Sequence, residues 1–392
     1  MRNGTLACVA AATALIAVAA PSLALDSNTP TWLPRETVSS RAYYLYHTGA
    51  DRALACDHYG NAAVAFYDGV SQDLKYAEHI SAGGWPYMTV DTVGTNTGLY
   101  PSLAFDRYER PGISYYEFTP DLDLMYAHYD GSAWQKTVVD SNGSVGYDTS
   151  LAYDLYGRPA IAYSDSSNYL KLAYDDDGDG VFTVQTITPD GRYPTLAFDS
   201  QNRPRIAYRR TSTNTVTLAT QGKGAWVLHL LPYTTTDAPS MAIDPDTGDP
   251  ALAFVRSTDG DLLYVEWDEY HWTSSVVDTG NTDAPSLAFD PADGHPAIAY
   301  DEDNDLRFAW FDGSVWHTQT VDTTAGENPS LAFNEYGDGW PVIAYMDTAS
   351  PGHLYVIQDP PGLPEPATVA LLALGGLAII RRRRSGRRSF RR

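Results

Sequence analysis

A short phrase, proline–serine–leucine–alanine–phenylalanine–aspartate, returns through this chain with small changes. It stands at Pro101, Pro194, Pro239, Pro285 and Pro329, with looser versions at Ala53 and Thr149. Its apolar anchors are Leu54, Leu103, Leu151, Leu196, Met241, Leu287 and Leu331, 44 to 49 residues apart. A period of that length means one supersecondary unit used seven times, since a unit this small cannot bury its apolar faces alone and must stack on its neighbours.

Each unit breaks into four strand-like pieces, clearest in the sixth: SLAFD from Ser286, PAIAY from Pro296, LRFAWFD from Leu306 and WHTQTVD from Trp316. Aromatic and β-branched residues fill the pieces, and Gly, Pro, Asn and Asp separate them. Asp154 to Pro159 reads D-x-x-G-x-P, in which Asp closes a turn, Gly takes a positive φ and Pro withholds a donor. Asp130-Gly131 and Asp312-Gly313 are two-residue hairpin signals. In the third unit Ile161 and Tyr163 project to one face and Ala160 and Ala162 to the other. Both faces are apolar, so a large face must rest on the small face of the next sheet. The pattern predicts an all-β, seven-bladed β-propeller of four-stranded blades. The last unit ends at Leu354-Tyr355-Val356-Ile357 without a fourth strand, and Trp32 to Ser39 resembles that missing piece. The N-terminal strand is therefore expected to close the last blade from outside, leaving no open sheet edge.

The two ends read as addresses. Residues 1–24 carry Arg2, an apolar run from Leu6 to Ala20 and Ser22-Leu23-Ala24, the layout of a signal peptide cleaved before Leu25. Cys8 precedes the apolar run, which sets a lipoprotein signal aside. The propeller is expected over 25–359 and a Pro-rich linker over 360–366, followed by an apolar segment and Arg-rich tail over 367–392. The uncharged run from Ala367 to Ile380 is short for a membrane span, and eight Arg lie among the last twelve residues. Pro364-Glu365-Pro366, the apolar run and the Arg cluster together resemble the PEP-CTERM sorting signal of bacterial exosortase systems. The resemblance covers about the last thirty residues. It implies export, a signal peptidase and an exosortase-type enzyme as processing partners, transient membrane insertion through the apolar segment, and a place in the envelope, surface or extracellular matrix. An ordinary C-terminal anchor is the alternative.

Charge narrows the partners. The chain of 392 residues carries 26 Lys and Arg against 49 Asp and Glu, a net charge of −23. The two ends hold nine Arg and one acid, so the remaining body is more acidic still. Such a surface repels nucleic acid and favours solubility and cations. Only Cys56 remains after processing, so no internal disulfide forms, and its place in the repeat is that of a core residue.

The repeat also sorts side chains onto one rim. Two positions after the aromatic residue of the second strand stand Asp68, Glu117, Asp165, Arg210, Arg256, Glu302 and Asp347. Fourth strands end with Asp91, Asp140, Asp278 and Asp322 on the same expected face. One reading is a ring of carboxylates for a cation or sugar hydroxyls, with Arg210 and Arg256 reaching an anionic substituent. The other is solvated acids and inter-blade ion pairs. Tyr100, Tyr147 and Tyr193 precede first strands and suit a stacking platform for sugars, or packing beneath loops. Asp175, Asp177 and Asp179 open a D-x-D-x-D-G run suited to Ca²⁺, but Thr183 and Thr186 stand where a full Ca²⁺ loop has acids, so an expanded acidic hairpin is the alternative.

No zinc pair, nucleophile elbow or phosphate loop is present. The expectation is a binding or scaffold module for extracellular polysaccharide or another surface polymer. The alternatives are a glycoside hydrolase or lyase acting on acidic glycans and a protein–protein scaffold.

Overall fold

In the computed structural model, residues 30–42, 52–80, 84–92, 95–222, 224–235, 237–267, 271–334, 339–349 and 352–358 are described. The signal segment, Pro364-Glu365-Pro366 and the apolar and Arg-rich tail lie outside them. The described residues form 28 strands and no helix. Each repeat folds as an antiparallel meander, a propeller-like blade, with the PSLAFD phrase as its first strand. The third is representative: Val145–Tyr153, Pro159–Asp165, Leu170–Tyr174 and Thr183–Thr188, paired in that order.

Five sheets of four strands hold the second to sixth units. An eight-stranded sheet holds the first and seventh, whose halves meet at the single pairing Ala42↔Asp68. The seventh unit supplies three consecutive strands, and its fourth partner is the N-terminal strand Glu36–Ala42, antiparallel to Gly352–Gln358. That strand starts a few residues later than the sequence suggests. Trp32 instead packs edge-on against Phe308, 5.1 Å between ring centroids, while the Leu33 amide reaches the Gln358 carbonyl.

The alternation of large and small residues decides the packing. Ile161 and Tyr163 share a core with Leu124 and Tyr126 of the preceding unit, and Ala160 and Ala162 share one with Ile206 and Tyr208 of the next. Tyr163, Tyr208, Tyr300 and Tyr345 are fully buried. Burying each such ring contributes about 1.5–3 kcal/mol, offset by the chain entropy of ordering it. The same arrangement joins Phe66 of the first unit to Ala344 of the seventh.

Two polar devices repeat between sheets. The Ser of PSLAFD accepts the amide of the next unit's anchor: Ser102 from Leu151, Ser150 from Leu196, Ser240 from Leu287, Ser286 from Leu331 and Ser330 from Leu54, at 2.9–3.2 Å. The Asp that ends a fourth strand accepts the hydroxyl of the next unit's buried Tyr: Asp91 from Tyr115, Asp140 from Tyr163, Asp278 from Tyr300 and Asp322 from Tyr345, at 2.5–2.8 Å. Buried hydroxyls and amides must be paired, so these bonds fix the register of sheet on sheet.

Candidate functional site

First strands begin with an irregularity. The pairing register shifts between Leu99 and Ser102, Tyr147 and Ser150, Arg192 and Thr195, Asp283 and Ser286, and Glu327 and Ser330. Within each shift one residue takes a left-handed backbone: Tyr100, Asp148, Tyr193, Ala284 and Asn328, with φ between 46° and 55°. That conformation is costly for a bulky side chain such as Tyr and is kept only where the surroundings impose it.

Tyr100, Tyr116 and Tyr147 converge with centroids 4.7–6.2 Å apart. Arg192 lies between rings, its guanidinium 5.6 Å from Tyr147 and 5.2 Å from Tyr193, and its Nε donates to Asp148 Oδ2 at 2.6 Å. Arg209, paired with Arg192 across the first two strands of the fourth unit, covers the Tyr193 ring at 4.7 Å. Arg52, from the first unit, donates to Thr195 Oγ1 at 2.6 Å and to the Met241 carbonyl at 2.9 Å in the fourth and fifth units. Burial and the nearby Asp148 charge push the Tyr100 hydroxyl up to about 12, so it remains a donor at neutral pH.

Carboxyl groups continue the patch. Burial, reinforced by Asp283, holds Asp237 far above the usual carboxylate range, and the Ala284 amide donates to it at 2.7 Å. Asp237 acts electrostatically on Tyr193, which links the acidic side to the aromatic side. Burial, with the charges of Asp283 and Glu327, raises Asp301 to about 6. At neutral pH Asp301 is mostly ionised.

The residues singled out by the repeat are placed separately, each in its own hairpin. Arg210 pairs with Asp190 at 2.9 Å, and Arg256 with Asp259 and Asp261 at 2.7 Å. Asp68 caps Val70 and Ser71 and meets Arg41, while Asp165 caps Ser167 and Tyr169 and meets Lys171. Glu302 meets Arg307, and Asp347 meets His353. Glu117 is buried, and burial with the charges of Asp91, Asp121 and Asp123 raises it to about 7. Tyr100, Tyr147 and Tyr193 are brought together, but beside Arg192 and Arg209 rather than beside Arg210 and Arg256. Carboxylate oxygens of Asp175, Asp177 and Asp179 lie within 4.8 Å of one another, and Asp175 also accepts the amides of Gly178 and Gly180.

A concavity of about 380 Å³ opens between the fifth and sixth units near the turns joining first to second strands. Tyr264, Phe311 and Trp316 wall it beside Asp244, Asp246 and Glu266, and none of its described lining residues is Lys or Arg. Its charge disfavours acidic ligands.

Solved structures share this propeller-like fold. A family 25 polysaccharide lyase, an ulvan lyase, is 12% identical over 83% of this chain and 95% of its own, with a TM-score of 0.57. The polysaccharide lyase Uly1 is 9% identical over 82% of this chain and 92% of its own, TM-score 0.51. AofleA from Arthrobotrys oligospora is 14% identical over 71% and 89%, TM-score 0.50. No curated protein matches the chain in sequence. Residues 363–384 match the PEP-CTERM protein-sorting motif. The protein is an exosortase-sorted exported protein of the bacterial cell surface or extracellular matrix.

Proposed function

We propose that the exported body is a closed seven-bladed β-propeller whose Arg- and Tyr-bearing rim binds an acidic polysaccharide of the surface or matrix. Three contacts between the first and seventh units support closure: the Leu54–Ser330 hydrogen bond, the shared core around Phe66 and Ala344, and the N-terminal strand on the last sheet. One observation carries the binding reading. In a chain of net charge −23, Arg192 and Arg209 are gathered over two tyrosine rings, Tyr147 and Tyr193, with Arg52 bonded to Thr195 on the Arg192 strand. Guanidinium groups take carboxylate or sulfate in paired hydrogen bonds, and tyrosine rings stack on sugar faces. Arg210 and Arg256 form the outer flank of the proposed face, and Asp175, Asp177 and Asp179 are a proposed Ca²⁺ loop at the other end of the strands, next to the Asp154–Arg158 turn.

Calorimetry with a uronate-bearing polysaccharide against a neutral one tests the reading. Arg192→Ala with Arg209→Ala should weaken binding about tenfold or more, since each charged hydrogen bond contributes about 1.5–3 kcal/mol. Arg210→Ala with Arg256→Ala should change it severalfold at most. Unchanged binding in the first pair would move the site elsewhere.

A second reading, cleavage of such a glycan, is favoured by Asp237, a carboxyl that burial and Asp283 shift upward and that accepts the Ala284 amide near Tyr193. Release of new chain ends that disappears in Asp237→Asn would establish it; intact binding without any release would leave a binding module.

A further inference from the structure

Seven side chains occupy equivalent places at or near the end of the second strand of each unit, and six have an ion-pairing or hydrogen-bonding side chain as partner within the protein. Arg41, Lys171, Arg307 and His353 answer the acids Asp68, Asp165, Glu302 and Asp347, and local aspartates answer Arg210 and Arg256. Glu117 is the exception. It is 4% exposed, and its Oε1 is buried with no hydrogen-bond partner.

Its surroundings make the gap larger. Asp123 stands directly opposite Glu117 across the hairpin, an arrangement of like charges that destabilises a strand pair unless something lies between them. Asp121, at the turn, completes a group in which one carboxylate oxygen from each residue lies within 4.8 Å of the other two. The nearby amine, Lys136 Nζ, is engaged by Asp91 Oδ1 at 2.6 Å.

We propose that Glu117, Asp121 and Asp123 hold a calcium ion. Three carboxylates and no nitrogen or sulfur ligand is the chemistry of a hard divalent cation, and oxygens on opposite sides of Ca²⁺ stand about 5 Å apart, a sphere this group fits within. Magnesium demands a tighter octahedron and keeps its waters, so a strand hairpin with one exposed acid suits it less. The ion supplies the positive charge that Arg41, Lys171 and Arg307 give three of the other acidic hairpins, and it ties the second strand to the third at the edge of the proposed binding face. The assignment is independent of the Arg192 rim and distinct from Asp175, Asp177 and Asp179, where both oxygens of Asp175 accept backbone amides.

The test is calorimetric titration of the purified, chelator-treated protein with CaCl₂, repeated with MgCl₂, and thermal melting with and without Ca²⁺. The expected result is Ca²⁺ binding tighter than Mg²⁺ binding, weakened about tenfold or more in Glu117→Gln and severalfold in Asp121→Asn. Asp177→Ala should retain the binding lost in Glu117→Gln. Asp121 is exposed, so its variant folds even if Glu117→Gln does not. Wild-type Ca²⁺ affinity in both Glu117→Gln and Asp121→Asn, or no Ca²⁺ binding by the wild type, overturns the proposal.

Discussion

Removing the carboxylate of Asp140 should weaken the contact between the second and third sheets by an amount the structure allows us to work out. Asp140 Oδ2 accepts the Tyr163 hydroxyl at 2.6 Å and lies 3.5 Å from Lys171 Nζ, while its Oδ1 accepts the Asn142 amide. Tyr163 is fully buried, so Asp140→Ala leaves a hydroxyl with no water to turn to. An orphaned buried hydroxyl costs about 1–3 kcal/mol, and the lost charge-assisted bond brings the total to about 2–4 kcal/mol. Tyr163→Phe is milder, about 1–2 kcal/mol, because Asp140 keeps Asn142 and Lys171. Urea unfolding with unchanged m reads both, and Asp140→Ala combined with Tyr163→Phe completes a double-mutant cycle. The expected coupling is about 1–2 kcal/mol. Coupling near zero, or Asp140→Ala below about 0.5 kcal/mol, would refute the view that these Tyr–Asp bonds latch sheet to sheet.

Other outcomes follow from the same contacts. Ser330→Ala and Ser150→Ala each strand one buried amide, so their unfolding midpoints should fall equally, by about 1–2 kcal/mol; a silent Ser330→Ala beside a costly Ser150→Ala would contradict ring closure. Burial alone would raise Asp154, but hydrogen bonds from Arg158, Tyr174 and Asn202 outweigh it and hold the carboxyl down to about 2. The stability this contributes is complete above the unfolded value near 3.8 and is lost as pH falls through about 2. Asp154→Asn should therefore flatten acid unfolding between those values, by on the order of 2 kcal/mol, and an unchanged acid limb would reject the assignment. Raising salt should weaken acidic-glycan binding at the Arg192 rim, and salt-independent binding would point to an uncharged site.

Much of the architecture was legible because it is local. The period, the hairpin signals and the alternation of Ile161 and Tyr163 with Ala160 and Ala162 lie within a few residues of one another, and each states a face or a turn. The fourth-strand aspartates were expected on one rim, and their partners are tyrosines 22 to 24 residues further on in the next sheet, so their structural role showed only in three dimensions. The candidate site was read less well for a related reason. Repeat alignment compares equivalent columns, which drew attention to Arg210 and Arg256, whereas Arg192 and Arg209 meet the tyrosines through a register shift between Arg192 and Thr195 that no column records. Asp237 sat unremarked before an Ala-Pro pair, where its sequence neighbours say nothing of Asp283 beside it.

The strand Gly352–Gln358 is gripped on two sides, by Pro341–Met346 and by the N-terminal strand, and it is the last described segment before the sorting motif. A pull transmitted through the tail during transfer to the envelope is therefore shared between two ladders. The first residues of the folded body act as a strain relief for the last.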